Sequence, residues 1–343
     1  MTSAPFHASN LLLYAPNWLG DAVMALPSLL AWREANPEAE VTLLTRPGLV
    51  PLWGLCPAAA DEVVALEAGT PGTCRAARAA RARRHDASLS MPNSFRSALL
   101  PWLARIPRRR GSAMHARSLL LTDRIPCSAL AGGHQACANF VLFGLPRPDS
   151  PAKLPSPLLR MPEEETASAR IRAGAKDGAP LLALIPGAAR GSSKRWPAAH
   201  FVSAALLVAG RIPGLRFVVC GAKNEADACG EVAAGLPAGR TVNLAGKTDL
   251  RGLAAVLAAC GGVCCNDSGG MHLAAAVGTP LAAVFGLTDA VRTGPLGPTS
   301  RVVQRNDVRH DSAIARRSAE ASAVLASIAP ERVASALLEV IRP

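Results

Sequence analysis

The sequence has no apolar run long enough to cross a membrane, because its longest apolar stretches fall well short of the roughly 18 residues that a spanning helix needs. Its first residues, MTSAPFHASNLLLYAP, lack the basic segment and the small-residue cleavage site of a secretory signal. We therefore expect a cytoplasmic protein that does not span a bilayer, with LLLYA as its first strand.

Several chemical signatures are also missing. The nine cysteines contain no CxxC pair, which argues against a zinc site and a disulfide framework and favours reduced thiols. The GxGxxG and Walker A patterns are absent, which weakens dinucleotide-binding and NTPase interpretations. The chain contains no DxD triplet, the usual acidic clamp for a metal-bound nucleotide diphosphate, so no metal is implied.

Positive charge is in excess and is unevenly distributed along the chain. The net charge is +12, and residues 75–124 contain twelve arginines and two aspartates, a local net charge of +10. Such a stretch indicates an anionic partner. Aromatic residues make up only 4% of the chain, and few of them stand among the arginines to stack on bases, which disfavours nucleic acid. A solvated arginine-rich face remains the alternative.

Short β-like runs alternate with alanine-rich helical segments, which predicts an α/β fold with parallel sheets and crossover helices. The predicted strands are 11–15, 41–45, 62–66, 86–91, 181–185, 216–220, 242–246, 262–266 and 281–285. Prolines break both helices and ladders, so the proline-rich stretch 145–162 marks a boundary between two series. We expect two Rossmann-like, doubly wound lobes facing a central cleft.

In domain terms, the sequence predicts three parts. These are an N-terminal lobe over residues 1–160, a C-terminal lobe over residues 161–325, and a final helical segment over 326–343 for which packing on the N-terminal lobe is left open.

Ligands bind beyond the carboxyl ends of strands in such sheets, so the loops after the strands are informative. After the strand 262–266 comes the segment NDSGG, in which Asp267 or Ser268 can cap the next helix and the two glycines let a ligand approach backbone N–H groups. His272 follows in the first helical turn. Helix capping alone would explain the same residues.

Three other loops that directly follow a predicted strand also carry charged residues. Asp21 follows the first strand and is a candidate general base, although a first-turn acid is also favourable for the helix dipole alone. Arg190, Lys194 and Arg195 follow the strand 181–185 in a Gly/Ser loop that suits a diphosphate. Glu225 follows the strand 216–220, where an acid can accept hydrogen bonds from ribose hydroxyls.

Four segments together resemble the ADP-heptose:lipopolysaccharide heptosyltransferases. They are NWLGDAVMALPSL (17–29), MPNSFRSALLPWLARIPRRRG (91–111), PGAARGSSKRWP (186–197) and NDSGGMHLAAAVGTPLAAVFG (266–286). The forms PNSF, KRWP and NDSGxMH are most similar to the heptosyltransferase II branch, which adds the second inner-core heptose. The resemblance covers most of residues 10–305 and implies a GT-B fold, with the acceptor on the N-terminal lobe and the sugar nucleotide mainly on the C-terminal lobe.

The resemblance also implies roles for individual residues. Asp21 matches the family's catalytic base and Lys194 the lysine that contacts the donor diphosphate. The expected donor-binding residues are Gly187, Ser192, Ser193, Lys194, Glu225, Asp267, Ser268, Gly269, Gly270, Met271 and His272. The expected acceptor-binding residues are Asn17, Gly20, Asn93, Ser94, Arg96, Arg108, Arg109 and Arg110.

The implied activity is inverting transfer of heptose from ADP-L-glycero-D-manno-heptose to the lipopolysaccharide inner core. The expected partners are ADP-heptose, a Kdo-lipid A acceptor that already bears heptose, and the cytoplasmic leaflet of a Gram-negative inner membrane, with no metal or other cofactor. Such a displacement needs a base that takes the proton of the acceptor hydroxyl. It also needs positive charge that stabilises the departing ADP.

One segment departs from the pattern. Heptosyltransferase II sequences often carry a cysteine-rich segment before their last helix, and residues 306–328 contain no cysteine. Heptosyltransferase I or another GT-B glycosyltransferase is therefore kept as an alternative. A non-catalytic basic module that binds nucleic acid is the alternative from a different class.

Overall fold

The computed structural model describes residues 6–175, 178–189, 191–308 and 318–341. The chain divides into two compact units, Met1–Leu154 and Pro155–Pro343. This division lies inside the proline-rich stretch 145–162 and a few residues before the boundary that the sequence suggested.

The first unit contains a parallel sheet with strand order β3-β2-β1-β4-β5-β6 in the part of the chain that is described. Its elements are β1 (Asn10–Tyr14), α1 (Leu19–Ala35), β2 (Glu40–Thr45), α2 (Val50–Gly54), β3 (Glu62–Ala65), α3 (Gly69–Ala82), β4 (Ala87–Ser90), α4 (Phe95–Leu103), β5 (Arg108–Ser112), β6 (Asp123–Ile125) and α5 (Gln135–Leu142).

The second unit repeats this design, with a parallel sheet of order β12-β11-β10-β7-β8-β9 among the described residues. Its elements are α6 (Glu163–Arg172), β7 (Leu181–Ile185), α7 (Ala198–Ala209), β8 (Arg216–Val219), α8 (Ala226–Ala234), β9 (Thr241–Asn243), α9 (Leu250–Ala258), β10 (Gly262–Asn266), α10 (Gly269–Ala276), β11 (Leu281–Val284), α11 (Ala290–Thr293), β12 (Ser300–Val303), α12 (Ala319–Ala326) and α13 (Pro330–Leu338).

The central strands are apolar because helices cover both faces of each sheet. Every residue of β7 and β10 is buried, and so are the last four residues of β1. Fully burying one Leu or Val side chain stabilises the fold by about 1.5–3 kcal/mol. In each sheet the strand order reverses beside a central strand, between β1 and β4 and between β7 and β10. These reversals are where ligands bind in doubly wound sheets.

The predicted α/β architecture is confirmed, and three strands were missed. Strand β5 could not be predicted, because its residues Arg108, Arg109 and Arg110 are not typical of strands and do not alternate with apolar residues. The short strands β6 and β12 lie at sheet edges and were also missed. Each begins with two polar residues and has at most two apolar residues, DRI and SRVV, which is too short a run to predict a strand.

The last helix belongs to the core of the second unit. Val333, Ala334 and Leu337 of α13 are buried with Phe201 and Val208 of α7. No single helix among the described residues is long and apolar enough to cross a membrane. By length and composition alone the pair α12 and α13 passes that test together, bent by 61°.

Candidate functional site

A polar cavity opens at the carboxyl end of the first sheet, beside the reversal between β1 and β4. Its volume is about 260 Å³, and loops that follow both strands form its walls. This is the position at which the sheet topology predicts a ligand. The lining residues are Pro16, Asn17, Trp18, Asp21, Met91, Pro92, Asn93, Ser94, Gln135 and Asn139.

Asp21 lies in this cavity, half-buried in the first turn of α1. The positive end of the helix dipole favours its ionised form. Nε2 of Gln135 donates a hydrogen bond to its Oδ1 at 3.0 Å, which fixes the direction of the carboxylate. Sequence reasoning found Asp21 and missed Gln135, because only the folded sheet brings the start of α5 to α1. Gly20 precedes Asp21 in the same turn but is not among the lining residues.

Asn93 and Ser94 form the opposite wall after β4. Ser94 caps α4, since its side chain accepts a hydrogen bond from the backbone N–H of Ser97 at 3.2 Å. Asn93 Oδ1 accepts hydrogen bonds from Ser112 Oγ at 2.6 Å and from Arg117 Nη1 at 3.3 Å. The loop is therefore held by β5 and by the segment that follows it.

Arg117 supports this wall from inside the unit. It is fully buried, and its Nη1 donates to the carbonyl oxygen of Pro92 at 2.7 Å. Burial lowers the pKa of this guanidinium, since the charged form loses solvation. From the sequence, Arg117 was only one of the arginines in the basic stretch 75–124, because nothing in the local sequence distinguishes a buried arginine from a solvated one.

Arg108, Arg109 and Arg110 were expected to bind acceptor, but they are not among the residues that line the cavity. Residues at the start of β5 lie at the amino end of the sheet, opposite the cavity. Arg110 is only 3% exposed, forms an ion pair with Asp123 and donates from Nε to Leu142 O at 2.6 Å. Its guanidinium also lies 5.1 Å from the centroid of the Phe6 ring. These contacts give Arg110 a structural role.

The two neighbours of Arg110 are also engaged. Arg108 Nη1 donates to the carbonyl oxygen of His7 at 2.7 Å, and Arg109 donates from Nη1 to Ile106 O at 2.6 Å. Arg96 is half-buried in α4, and its Nε donates to Thr73 Oγ1 at 2.7 Å. Of the four arginines predicted to bind acceptor, Arg96 alone lies next to the cavity wall, two residues after Ser94.

The second unit places charged residues at its own reversal, between β7 and β10. Lys194 ends the short 3₁₀ turn Ser192–Lys194, and its Nζ forms an ion pair with Oδ2 of Asp267, just after β10. The lysine side chain is 16% exposed and the aspartate 7% exposed, so both charges are largely desolvated. An ammonium group has three donors, so Asp267 orients Lys194 and leaves donors for a ligand.

Asn266, the last residue of β10, joins the two loops that carry this pair. It is completely buried, its Oδ1 accepts a hydrogen bond from Trp196 N at 3.0 Å, and its Nδ2 donates to Pro186 O at 2.8 Å. The polar break in the run VCCNDSGG therefore holds the loop 186–196 in place beside β10. Nothing in the sequence alone indicated this role of Asn266.

Glu225 and Gly187 lie against one another in the same unit. A Cβ atom on Gly187 would stand 2.3 Å from the carboxyl carbon of Glu225, so the present position of this carboxyl group requires glycine there. Glu225 Oε2 also accepts a hydrogen bond from the backbone N–H of Ala222 at 2.9 Å. The carboxylate is thus fixed over Gly187, in the same loop after β7 that carries Lys194.

The start of α10 differs from the predicted cap. Ser268 occupies the N-cap position, but its side chain makes no capping hydrogen bond, and its buried Oγ has no partner among the described residues. The backbone N–H groups of Gly269 and Gly270 follow at the positive end of the helix, a favourable place for phosphate oxygens. A Cβ on Gly270 would meet Ile185 at 3.0 Å, which explains that glycine by packing.

Three predicted donor-binding side chains point into the protein. Met271 is completely buried and His272 is 4% exposed, so a ligand at the start of α10 would meet their backbone rather than their side chains. Ser193 is also buried, and its Oγ accepts a hydrogen bond from Ser318 N at 2.8 Å. The side chain of Ser192 and the whole of Arg190 lie outside the described residues.

The cysteines behave as core residues. Seven of the nine are buried, and only Cys74 and Cys127 are exposed. Burial raises the pKa of the Cys220 thiol to about 12 and that of Cys229 to about 11, so these thiols stay protonated near neutral pH. Among residues 6–175, 178–189, 191–308 and 318–341, no cluster of three or more His, Cys, Asp or Glu side chains is arranged to hold a metal ion.

Comparison with known proteins gives a consistent result. The model of glycosyltransferase family 9 (heptosyltransferase) matches residues 73–322. Lipopolysaccharide heptosyltransferase 2 of Salmonella typhimurium is 29% identical over 309 residues, which cover 86% of this chain and 88% of that protein.

Solved structures show the same likeness. The structure of E. coli ADP-heptose lipopolysaccharide heptosyltransferase II matches with a TM-score of 0.82 at 28% identity, covering 96% of this chain and 98% of that one. A family 9 glycosyltransferase from Veillonella parvula matches with a TM-score of 0.77 at 24% identity, over 90% and 89% of the two chains, and supports the fold.

Proposed function

Because this chain belongs to glycosyltransferase family 9, the heptosyltransferases, we propose that it transfers heptose from ADP-L-glycero-D-manno-heptose to the lipopolysaccharide inner core with inversion. The acceptor is Kdo-lipid A that already bears one heptose, so the reaction adds the second. The relatives named lipopolysaccharide heptosyltransferase 2 support this choice of acceptor. The enzyme works at the cytoplasmic face of a Gram-negative inner membrane and uses no metal.

The ion pair of Lys194 with Asp267 carries the donor half of the proposal. A largely buried ammonium at a sheet reversal, beside a helix start with a free Ser268 hydroxyl, suits a diphosphate. Glu225 lies over Gly187 of the same loop, where its carboxylate accepts hydrogen bonds from ribose hydroxyls. Met271 and His272 contribute their backbone.

Asp21 carries the acceptor half. Its carboxylate, oriented by Gln135 in the cavity, takes the proton of the acceptor hydroxyl. The hydroxyl oxygen attacks the anomeric carbon of heptose while the bond from that carbon to the ADP oxygen breaks. Lys194 and the N–H groups at the start of α10 stabilise the negative charge that develops on ADP. One displacement of this kind inverts the anomeric configuration.

Calorimetry with ADP-heptose and ADP tests the donor half. We expect Lys194→Ala to weaken both ligands by about 1.5–3 kcal/mol, the range for a hydrogen bond to a charged group. Lys247→Ala is the matched control, since Lys247 is an exposed lysine of the same unit. Equal affinities for ADP in the wild type and Lys194→Ala would contradict the assignment.

Lys194→Ala also leaves a buried carboxylate without its ion-pair partner, which destabilises proteins by about 3–5 kcal/mol. The double variant Lys194→Ala/Asp267→Ala removes that charge and should recover much of the stability without recovering ADP affinity. Thermal unfolding of both variants therefore separates weak binding from weak folding.

A further inference from the structure

Exposed apolar side chains gather on α4 and on the 3₁₀ turn His115–Leu120. Trp102 is 47% exposed and Leu119 is 78% exposed, and Phe95 and Leu103 are also exposed. In the described part of the first unit, the only other exposed large apolar residue is Trp18 at the cavity. Isolated exposed apolar residues need no explanation, but a local group of them marks an interaction surface.

The two elements that carry these side chains are tied together. Arg109 donates from Nη1 to Ile106 O at 2.6 Å and from Nε to Leu120 O at 2.7 Å. This guanidinium joins the chain just after α4 to the end of the turn. Trp102, Leu103 and Leu119 therefore belong to one rigid part of the surface.

A basic cavity adjoins this apolar group. Its volume is about 370 Å³, and Arg81, Arg84 and Arg105 line it. All three arginines are exposed, and their side chains form no ion pair or hydrogen bond with any other described residue. The backbone N–H of Arg105 bonds to Trp102 O at 2.9 Å, so the basic and apolar groups meet at the end of α4.

A buried histidine also lines the cavity. His85 lines it and is 4% exposed. Its Nδ1 lies 3.1 Å from Ala80 O, while its buried Nε2 has no hydrogen-bond partner in the described part of the chain. Because Nδ1 must donate to that carbonyl oxygen, Nε2 of the neutral ring is an acceptor and does not bind an anion. The three free guanidinium groups that line the cavity form the site for an anionic oxygen ligand, and phosphate is the group that such arginines bind best.

We propose that Trp102, Leu103 and Leu119 with Arg81, Arg84 and Arg105 form a docking face for an anionic phospholipid surface. The arginines bind headgroup phosphates in and around the cavity, and the apolar side chains enter the interfacial layer. Clustered arginines and an interfacial tryptophan are the features that hold proteins on anionic leaflets. The inference rests on the proposed function, because an acceptor built on lipid A requires the enzyme to work at a membrane.

The position of the docking face relative to the acceptor cavity agrees with this role. Helix α4 begins beside Ser94 of that cavity and ends at Leu103 of the docking face. Its nine residues span about 13 Å along the helix axis. The docking face and the acceptor cavity therefore lie at opposite ends of α4, so a lipid surface at the docking face leaves the cavity open.

Co-sedimentation with phosphatidylglycerol-containing vesicles and with pure phosphatidylcholine vesicles tests the proposal. Two variants remove the two components, Trp102→Ala/Leu119→Ala and Arg81→Gln/Arg84→Gln/Arg105→Gln. Their matched controls lie in the second unit. Leu206→Ala/Leu207→Ala removes exposed leucines, and Arg160→Gln/Arg211→Gln/Arg240→Gln removes the same charge from exposed arginines.

We expect wild type and controls to bind the anionic vesicles and not the zwitterionic ones. The arginine variant should bind roughly 100-fold more weakly, since each of the three arginines near an anionic surface contributes about 1 kcal/mol and every 1.4 kcal/mol is tenfold. In a Trp18→Phe background, brominated lipids should quench the fluorescence of Trp102, because the other three tryptophans, Trp32, Trp53 and Trp196, are buried.

Turnover on a delipidated, water-soluble acceptor separates this proposal from the proposed function. Both docking variants should keep wild-type turnover there and lose it on acceptor embedded in vesicles. A wild type that releases no ADP with either acceptor would refute the proposed function, whereas vesicle binding is measured independently. Unchanged vesicle binding by both variants would overturn the docking face. So would a wild type that binds inorganic phosphate but no anionic vesicles, or a dimer that the variants dissociate.

Discussion

At the scale of single residues, the candidate site of each unit depends on a few groups whose neighbours fix their direction. Asp21 is held by Gln135, Lys194 by Asp267, and Glu225 by the backbone of Ala222. Each functional group therefore has a structural partner whose removal gives a different result from removal of the group itself.

Asp21→Asn keeps the size of the side chain and removes the basic carboxylate. We expect kcat to fall by roughly 100-fold or more, with little change in the affinity for ADP-heptose, because the base acts on the acceptor in the transition state. Steady-state kinetics with donor calorimetry measures both quantities. Glu34→Gln, an exposed acid near the other end of α1, is the control. Near-normal turnover of Asp21→Asn would exclude this carboxylate as the base.

The close contact of Gly187 and Glu225 gives a second prediction. Gly187→Ala places a methyl group where the carboxyl group of Glu225 lies, so the loop or the glutamate must move and ADP-heptose should bind more weakly. In a Glu225→Ala background the same change should have little effect. The coupling between the two sites should be about 1–3 kcal/mol, as for residues in direct contact.

Calorimetry of the four proteins in this cycle gives the coupling energy. Gly239→Ala is the control, because a Cβ atom at Gly239 meets no atom within 4 Å. Additive effects of the changes at Gly187 and Glu225 would show that the contact does not position the glutamate for the donor.

At the scale of secondary-structure elements, each site depends on loops that different strands hold together. Asn266 bridges the loops after β7 and β10 with a completely buried amide. Asn266→Ala leaves Trp196 N and Pro186 O without this partner, at a cost of about 1–3 kcal/mol for each buried group. Hydrogen exchange should therefore rise over the loop 186–196 and not in β8. Unchanged exchange in that loop would show that Asn266 does not hold it.

The elements also show how far the sequence could lead. Apolar runs such as LLALI and GVCCN predicted central strands correctly, because a strand covered on both faces must be apolar throughout. The positions of Asp21, Lys194 and Asp267 followed from the rule that loops after parallel strands carry the ligand. Gln135 and Arg117 could not be found in this way, because their roles come from contacts between segments far apart in the chain.

The roles of the arginines in residues 75–124 could not be predicted from net charge alone. Arg109 and Arg110 bind backbone carbonyl groups and Asp123, whereas Arg81, Arg84 and Arg105 are exposed without an ion pair in the described part of the chain. A count of charges treats these two sets alike. Only burial and hydrogen bonding separate arginines that stabilise the fold from arginines that are available to a partner.

At the scale of the whole molecule, the reactivity of the buried thiols measures whether the apolar cores of both units are folded. In the native protein at pH 8 we expect a thiol reagent to label Cys74 and Cys127 rapidly and the other seven cysteines only after unfolding. The pKa values of Cys220 and Cys229, about 12 and about 11, lie above the usual 9.0. The unfolded chain therefore loses these protons first, and the free energy of unfolding should fall as pH rises from about 9 towards 11.

Labelling kinetics followed by peptide mass spectrometry, together with urea unfolding across this pH range, checks both expectations. Fast labelling of Cys220 or Cys229 in the native state would contradict the buried placement of these side chains. A stability that rises with pH in this range would contradict the direction of their pKa shifts.

We propose that the enzyme transfers heptose from ADP-heptose to an inner core that already bears one heptose, with Asp21 as the base. The most direct test measures ADP release and the mass of the lipid product for wild type and Asp21→Asn, with acceptors that bear no heptose or one. We predict that the wild type adds a single heptose to the one-heptose acceptor only, and that Asp21→Asn is slower by roughly 100-fold or more. Transfer to the acceptor without heptose, or no transfer to either acceptor, would contradict the claim.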